Sequence, residues 1–220
     1  MLPQLSKHIS KKNKKKIDLM QNKSLELSLF LSLPASIALL VASDEIISAL
    51  FGYGQFDESS VSNSAKALYF FSFGLPAFAM IKVLSNFFFA NNDTKTPFYI
   101  SVVSVLLNIL ISVYFFKTIG FIIIPIATTI SSWFNLVFLF LVLKKRKLFN
   151  FNNIFIKRFF KIIFASIFMG LFFNYLMLFF NEELSFEHSL KSIYLVLSVI
   201  LGLCFYLIVS YLIKAFQLED

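Results

Sequence analysis

The sequence is poor in the residues that build disulfide scaffolds, metal centres and most enzyme sites. It has one cysteine, two histidines and six glycines among 220 residues. One cysteine, Cys204, cannot form an internal disulfide. The two histidines, His8 and His188, lie far apart in predicted loops, and the sequence has no glycine-rich phosphate loop and no G-x-S-x-G motif. We therefore predict that the chain is not an enzyme and that it holds neither a metal nor a cofactor.

Charged residues are also scarce, whereas apolar residues dominate. Charged side chains make up 15% of the chain and hydrophobic ones 58%, with 31 phenylalanines. A soluble domain of this length could not bury so much apolar surface, because ordinary globular proteins are about 45–50% apolar. The mean hydropathy of +0.80 therefore indicates an integral membrane protein.

Six apolar segments are each long enough to cross a bilayer as a helix, which takes about 20 residues. They are residues 25–43, 67–90, 98–116, 119–143, 159–180 and 190–213. The connections are short, so we predict an all-α fold, a polytopic membrane helix bundle with six transmembrane helices. We divide the chain into a basic segment 1–24, a four-helix part 25–143, a basic loop 144–158 and a terminal helix pair 159–220.

The distribution of charge predicts the side of the membrane on which each connection lies. The segment before the first span has seven lysines and connection 144–158 is strongly basic, whereas connections 44–66 and 181–189 are acidic. Cytoplasmic loops are enriched in lysine and arginine. With both termini in the cytoplasm, sixteen of the twenty lysines and arginines lie inside. The lysine run has no interleaved aromatics, so we expect it to meet anionic membrane lipids and not nucleic acid.

One lysine and several polar stripes interrupt the apolar segments. Lys82 lies in the middle of segment 67–90, and a charge at that depth usually faces a polar interior and marks a pathway or a binding site. The stripes recur at helical spacing: they are Ser24, Ser28, Ser32 and Ser36; Lys82, Ser85 and Asn86; Ser101, Ser104, Asn108 and Ser112; and Thr128, Ser131, Ser132 and Asn135. Two interpretations stay open. A single stripe favours helix–helix packing, whereas four stripes and a lysine together favour a shared, water-accessible cavity.

The last two apolar segments contain few polar residues. We expect 159–180 and 190–213 either to face lipid or a lipid-like molecule, or to complete the bundle as a peripheral pair. The adjacent acids in the connections are predicted to be solvated charges and not catalytic pairs; they are Asp44 and Glu45, Asp57 and Glu58, and Glu182 and Glu183.

Five blocks of the sequence, taken in order, carry a family resemblance. They are LPQLSK (2–7), LSLPASIALL (31–40), LFGYGQFD (50–57), GLPAFAMIKVLSNFFFANNDTKTP (74–97) and LNILIS (107–112). This order resembles the MurJ/MviN family, the lipid II flippases of the MOP exporter superfamily. The resemblance is most specific in blocks 50–57 and 74–97. It implies the C-terminal part of a MATE-like flippase, from the end of the eighth of fourteen family helices onward.

The resemblance implies a transport function. Flippases of this family move lipid II, an undecaprenyl-linked peptidoglycan precursor, across the bacterial inner membrane by alternating access. The residues that the resemblance implies as contacts for the anionic substrate are Lys82, Ser85, Asn86, Asn108 and Asn135, and those implied as a gate at a cytoplasmic helix junction are Asp93 and Lys95. The final helix pair corresponds to a groove for the lipid tail. The family's N-terminal part is an expected partner, without which we expect no flipping.

Two other functions remain open at this stage. An exporter of another polyprenyl-linked oligosaccharide or of a drug, within the same superfamily, would share the architecture, although blocks 50–57 and 74–97 argue against it. The other alternative is a membrane protein without transport activity. Recovery of lipid II export in depleted cells that express this gene would separate the flippase from both.

Overall fold

The computed structural model of the chain describes residues 14–216, which form an all-helical fold without a β-strand. The helices are α1 (Lys14–Val41), α2 (Ser43–Phe51), α3 (Glu58–Ser72), α4 (Leu75–Ala90), α5 (Lys95–Ile119), α6 (Ile123–Lys145), α7 (Asn153–Phe179) and α8 (Lys191–Leu212), with a 3₁₀ turn at Gly120–Ile122. The predicted all-α class is confirmed. The LPQLSK block at 2–7 and most of the N-terminal lysine run lie outside the described residues.

By length and composition, four stretches of the described residues could cross a membrane, or up to five if α3 and α4 count as one broken span. One of the four is the 51-residue stretch Lys95–Lys145. A straight helix of that length would measure about 75 Å, far more than the roughly 30 Å of a bilayer core. Hydrogen bonds between Asn108 and Thr128 and between Asn135 and Ser101 show instead that α5 and α6 fold back on each other. The count of six spans stays a prediction.

The turn between α5 and α6 explains how a continuous apolar stretch forms a hairpin. Gly120 has a φ of 76°, a left-handed conformation that side-chain-bearing residues rarely adopt. It follows the last residue of α5, and Pro125 lies in the first turn of α6, where a missing N–H costs little. In both hydrogen-bonded pairs, the residue midway along the chain between the two partners is 118, close to this glycine. An antiparallel hairpin requires such a common midpoint.

Two differences from the predicted segments lie between residues 44 and 90. Segment 67–90 is broken at Phe73 and Gly74, and Pro76 lies in the first turn of α4. The acidic connection 44–66 is mostly helical, because it contains α2 and the first half of α3. Asp57 begins α3 by accepting a hydrogen bond from the Ser60 backbone N–H at 2.9 Å, which satisfies a helix end that would otherwise lack a partner.

The chain divides into two compact units, each assembled from separated stretches of sequence. The first unit contains the described residues up to Ser32 together with Gly74–Phe159. Its buried apolar residues come mainly from α4 and α6, with Phe149 stacked on Phe87 at a centroid distance of 6.0 Å. They include Leu84, Phe87, Phe88, Ala127, Leu139, Leu143 and Phe149. All the residues named above as substrate contacts or gate residues belong to this unit.

The second unit contains Leu33–Phe73 and the described residues from Phe160 onward. One cluster in it joins α2 to α3 through Ile47, Val61 and Ala65, and Phe56 and Phe186 pack against that cluster. A second contact joins α7 to α8, because the position of a Cβ on Gly202 lies only 3.1 Å from the Phe173 ring. A larger residue at Gly202 would therefore push the two helices apart.

The exposure of apolar side chains is consistent with a membrane protein and bears on the two alternatives left open for the last helix pair. Helix α7 contributes Ile162, Ala165 and Phe173 to the interior of its unit, so it is not a lipid-facing helix throughout its circumference. Helix α5 is far more exposed, with Val113 and Tyr114 exposed to 71% and 78%. The low polar content of 159–180 predicted only that the segment avoids water, and a buried helix face also avoids water.

Candidate functional site

Helix α4 presents one buried face and one exposed face, and Lys82 lies on the exposed one. Leu84, Phe87 and Phe88 are buried to 98% or more and point into the first unit. Lys82 is exposed, whereas Ser85 and Asn86 are partly buried beside it. Because positions three and four apart share a helix face, the polar group Lys82, Ser85 and Asn86 forms a short stripe at the edge of the exposed face.

Apolar residues also lie on the exposed face of α4 that carries Lys82. Phe78 and Phe89, four residues before and seven after it, are exposed on the same side of α4. Lys82 thus shares a face of α4 with two exposed phenylalanines, and α4 together with α3 is long and apolar enough to form one bent membrane span. An ammonium group is costly in lipid and is usually found where a cavity, water or an anion meets it.

The polar stripes of α5 and α6 face each other. The Asn108 side-chain amide donates to Thr128 Oγ1 at 2.9 Å and to Ser131 Oγ at 3.3 Å. The Asn135 amide donates to Ser101 Oγ at 3.3 Å. These bonds are those expected of polar residues that join membrane helices. For these two stripes the structure therefore places the polar groups in a helix–helix seam.

The seam is not completely satisfied. The Asn135 Oδ1 and Ser112 Oγ atoms are buried without a hydrogen-bond partner among the described residues. In this structure the amide nitrogens of Asn108 and Asn135 are occupied by the neighbouring helix, and no hydrogen bond joins them to Lys82. The five residues predicted to bind substrate thus form two groups, one on the exposed edge of α4 and one in the α5–α6 seam.

Asp93 forms a compact network at the junction of α4 and α5. Its carboxylate accepts hydrogen bonds from the Thr96 N–H at 3.0 Å and from the Thr96 hydroxyl at 2.6 Å. It also forms an ion pair with the guanidinium of Arg146, which donates to Thr96 Oγ1 at 3.0 Å as well. The hydrogen bonds from Thr96, and then the nearby Arg146 charge, lower the pKa of Asp93 to about 2.

The partner of Asp93 is Arg146 and not Lys95. Lys95 is exposed, and the ion pairs recorded for the described residues do not include it. Arg146 follows the end of α6 and also lies 5.9 Å from the centre of the Phe88 ring. The sequence interpretation counted Arg146 only as one charge of the basic loop 144–158, because its contact with Asp93 spans 53 residues.

A second polar group connects α1 to the basic loop and the start of α7. Glu26 and Arg158 form an ion pair at 3.2 Å, with side chains exposed to only 4% and 11%. Asn22 donates to the Asn150 carbonyl at 2.8 Å and accepts from the Asn152 N–H at 3.2 Å. The loop 144–158 is therefore fixed to α1 by specific bonds, which its charge alone did not predict.

The block LFGYGQFD at 50–57 has a structural basis in the second unit. Gly52 has no room for a side chain, because a Cβ would lie 2.6 Å from the Ser48 carbonyl oxygen. Gly54 has a φ of 62°, which favours glycine, and Asp57 caps α3. Hydrogen bonds from Ser60 and Ser59 lower the pKa of Asp57. Each of these residues shapes the chain between α2 and α3.

A buried lysine fixes that segment to the start of α8. Lys191 is 1% exposed, and its ammonium donates to the carbonyl oxygens of Gly52 at 2.8 Å and Phe186 at 2.7 Å. It also lies 4.5 Å from the ring centres of both Tyr53 and Phe186, a distance typical of cation–π contacts. The sequence analysis placed Lys191 at the start of the apolar segment 190–213 and gave no signal of this environment.

Comparison with known proteins gives the family. The model of the family described as "Lipid II flippase MurJ" matches residues 1–195. A probable lipid II flippase MurJ of Thermotoga maritima is 36% identical over 193 residues, which is 88% of this chain and 37% of that protein. The corresponding protein of Rhizobium tropici is 36% identical over 146 residues, covering 66% of this chain and 27% of the relative.

A solved structure supports the same assignment. The inward closed conformation of a lipid II flippase MurJ matches with a TM-score of 0.76 and 25% sequence identity, over 96% of this chain and 42% of that one. The chain thus spans between about a quarter and two fifths of the length of these relatives. Because the family model covers most of the chain and both sequence and fold agree, the chain belongs to the MurJ family of lipid II flippases.

Proposed function

We propose that the chain forms part of a lipid II flippase, which moves the undecaprenyl-linked peptidoglycan precursor across the bacterial inner membrane by alternating access. The observation that carries this proposal is the exposed Lys82 on α4, in a family whose members are lipid II flippases. A lysine on an aromatic face of a membrane helix needs an anionic or hydrated partner. The pyrophosphate of the substrate is an anion that would meet this need.

Lys82 acts in this proposal as the headgroup contact, with Ser85 and Asn86 as neighbouring hydrogen-bond donors. Asn108 and Asn135 would contact the headgroup only in a conformation in which their bonds across the α5–α6 seam are broken. In the present conformation they stabilise the seam. We therefore expect Lys82 to affect substrate transport directly and the two asparagines to affect it through helix packing.

The gate at the helix junction consists, in this proposal, of Asp93 and Arg146 with Thr96 between them. Alternating access requires an element with two discrete arrangements, and an ion pair with partly exposed partners can break and form again at low cost. Lys95, which the family resemblance implies as the other gate residue, lies beside this network and is exposed. Both termini and the loop 144–158 face the cytoplasm, where the basic residues meet anionic lipids.

The test is complementation of a MurJ-depleted strain by a chimera in which this chain replaces the aligned segment of the Thermotoga maritima relative. Lys82→Ala should abolish outward appearance of lipid II while membrane insertion stays normal, and Lys82→Arg should retain part of the activity because the charge remains. Lys117→Ala, which removes an exposed lysine at the end of α5, is the matched control and should be active. Full activity of Lys82→Ala would overturn the headgroup role.

A further inference from the structure

The start of α8 caps the end of α2, a contact within the second unit that the proposed transport function does not use. The last carbonyl groups of an α-helix have no partner within the helix. Ser192 Oγ donates to one of them, the Ala49 carbonyl, at 2.6 Å. The Lys191 ammonium donates at 2.8 Å to the carbonyl of Gly52, the residue that follows α2. We call this contact of two consecutive α8 residues with the end of α2 the α8 cap.

The charge of Lys191 is compensated without a carboxylate, because the ion pairs recorded for the described residues do not include it. A helix C-terminus carries a partial negative charge, which attracts a cation. The Phe186 carbonyl accepts a second hydrogen bond at 2.7 Å, and the rings of Tyr53 and Phe186 lie 4.5 Å from the ammonium. Carbonyl dipoles and aromatic faces therefore stabilise the cation of a side chain that is 1% exposed.

Breaking the α8 cap is costly. A charged group that stays buried after losing its hydrogen bonds is strongly destabilising, and the carbonyl groups at the end of α2 would lose their partners as well. The Tyr53 hydroxyl and Ser192 Oγ form a further bond at 2.6 Å, so several bonds must break together. The Asp93–Arg146 pair differs, because its side chains are 22% and 46% exposed and water can replace their bonds.

We propose that the α8 cap stays closed while the chain changes conformation, so that α2, the turn that follows it and the start of α8 move as one rigid body. The transport cycle breaks partly exposed contacts instead, such as the Asp93–Arg146 pair. This inference rests on the proposed function, because alternating access supplies the conformational change. Lys191 is in this view a positioning residue that does not contact the substrate.

Cross-linking tests whether transport requires the α8 cap to open. The chimera with the Thermotoga maritima relative, with all its other cysteines replaced, carries Tyr53→Cys and Ser192→Cys. It is linked with bismaleimidoethane, checked by mass spectrometry and reconstituted into vesicles that contain lipid II. The linked protein should move lipid II as fast as the unlinked double variant. The matched control links Asn92→Cys to Lys147→Cys, two exposed positions adjacent to the gate residues, and this link should stop transport.

A second measurement tests Lys191 without transport. In the full chain in detergent with Cys204→Ala, a cysteine in place of Ala49, which is 2% exposed, should react slowly with a maleimide. Lys191→Met removes the charge and should raise that rate at least about tenfold, the factor for one charge-assisted hydrogen bond. Ser192→Ala should raise it about fivefold and carries the test if Lys191→Met does not fold. Lys117→Met, an exposed lysine at the end of α5, is the matched control and should not change the rate.

The two measurements separate this inference from the transport proposal. Loss of transport on linking Tyr53→Cys to Ser192→Cys, with the unlinked double variant active, would show that the α8 cap opens and would overturn the inference. A labelling rate at Ala49→Cys that neither Lys191→Met nor Ser192→Ala changes would overturn it as well. If the cysteine-free chimera does not move lipid II, the proposed function fails, and the labelling rates still decide whether the α8 cap holds the end of α2.

Discussion

Asp93 shows how the neighbours of one residue determine its chemistry. Its carboxylate is held by the hydroxyl and N–H of Thr96 and by the guanidinium of Arg146. Because all three groups favour the charged form, the pKa falls from 3.8 to about 2. A carboxyl group with a lowered pKa in the folded state stabilises that state above its unfolded pKa, and this contribution is lost as the pH falls through the folded value.

The corresponding prediction concerns pH and the Asp93 network. In the wild-type protein in detergent, the contribution of Asp93 to the free energy of unfolding should be constant above about pH 4. It should be lost between roughly pH 4 and 2. At pH 7, Asp93→Asn should lower the free energy of unfolding by less than about 1 kcal/mol, because the ion pair is partly exposed. The thermal midpoint should therefore fall only slightly. Below pH 2 the variant and the wild type should coincide; a difference that persists there would contradict the assignment.

Glu45 makes the opposite prediction because its pKa is raised from 4.5. The folded state binds the proton more tightly than the unfolded state, so this residue's contribution to stability falls as the pH rises above 4.5. Glu45→Gln should therefore raise the thermal midpoint at pH 7, and the gain should vanish near pH 4. Glu187→Gln should change the midpoint at neither pH. A lower midpoint for Glu45→Gln at pH 7 would refute the burial argument.

Single residues differ in how far the sequence predicts their role. Lys82 could be singled out because a lysine within an apolar run is visible in the sequence alone. Arg146 and Lys191 could not, because their environments are created by residues about 50 to 140 positions away. Arg146 and Lys191 also lie among or beside other charges in connections, where solvation is the ordinary expectation.

At the scale of elements, the close packing between α2 and α8 depends on Gly52, which has no space for a side chain. A Cβ on Gly52 would lie 2.6 Å from the Ser48 backbone oxygen, 2.9 Å from the Phe186 ring and 3.1 Å from Lys191 Nζ. Gly54, two residues later, has open space but a φ of 62°. The two glycines of block 50–57 are thus required for different physical reasons.

Alanine substitutions distinguish the steric crowding at Gly52 from the positive φ at Gly54. Gly52→Ala should destabilise the second unit by about 2–3 kcal/mol, because the backbone or Lys191 must move. Gly54→Ala should cost about 1–2 kcal/mol, the backbone penalty alone. Thermal unfolding in detergent gives the order, and limited proteolysis in the segment 52–57 should increase more for Gly52→Ala. Equal stability of Gly52→Ala and wild type would contradict the packing described for Lys191.

The long apolar helices were predictable, whereas the breaks between them were only partly so. Apolar length identifies α5, α6, α7 and α8 to within six residues at each end, because twenty apolar residues in sequence have few other stable conformations. Helix α2, nine residues long, is too short for that signal. At the break, Gly74 lies close to α6, since a Cβ on it would lie 3.1 Å from Thr129 Oγ1. The sequence alone does not reveal this contact.

At the scale of the whole molecule, the orientation in the membrane is the main prediction. Loop charges place 44–66 and 181–189 outside and 144–158 inside. In a Cys204→Ala background, Gln55→Cys should react with an impermeant thiol reagent in intact cells, because Gln55 is exposed in the segment between α2 and α3. Asn150→Cys should react only after the membrane is made permeable. The reverse pattern would overturn the orientation.

The discontinuous composition of the two compact units could not be predicted from one sequence. Each unit combines early and late stretches, and such pairings depend on contacts such as Asn22 with Asn150 and Lys191 with Gly52, which span more than 120 residues. Hydropathy and charge describe each segment by itself. They therefore predict the elements and the class of protein but not which elements share a core.

The enclosure of Lys191 has a practical consequence for chemical mapping of the cell surface. Amine-acylating reagents modify lysines in proportion to the freedom of their ammonium groups, and Lys191 is enclosed by two carbonyl oxygens and two aromatic rings. Lys66 in α3 is exposed. A mass-spectrometric footprint of intact cells should therefore detect acylated Lys66 and unmodified Lys191 even if both lie outside, so that an unmodified Lys191 carries no information about its side of the membrane.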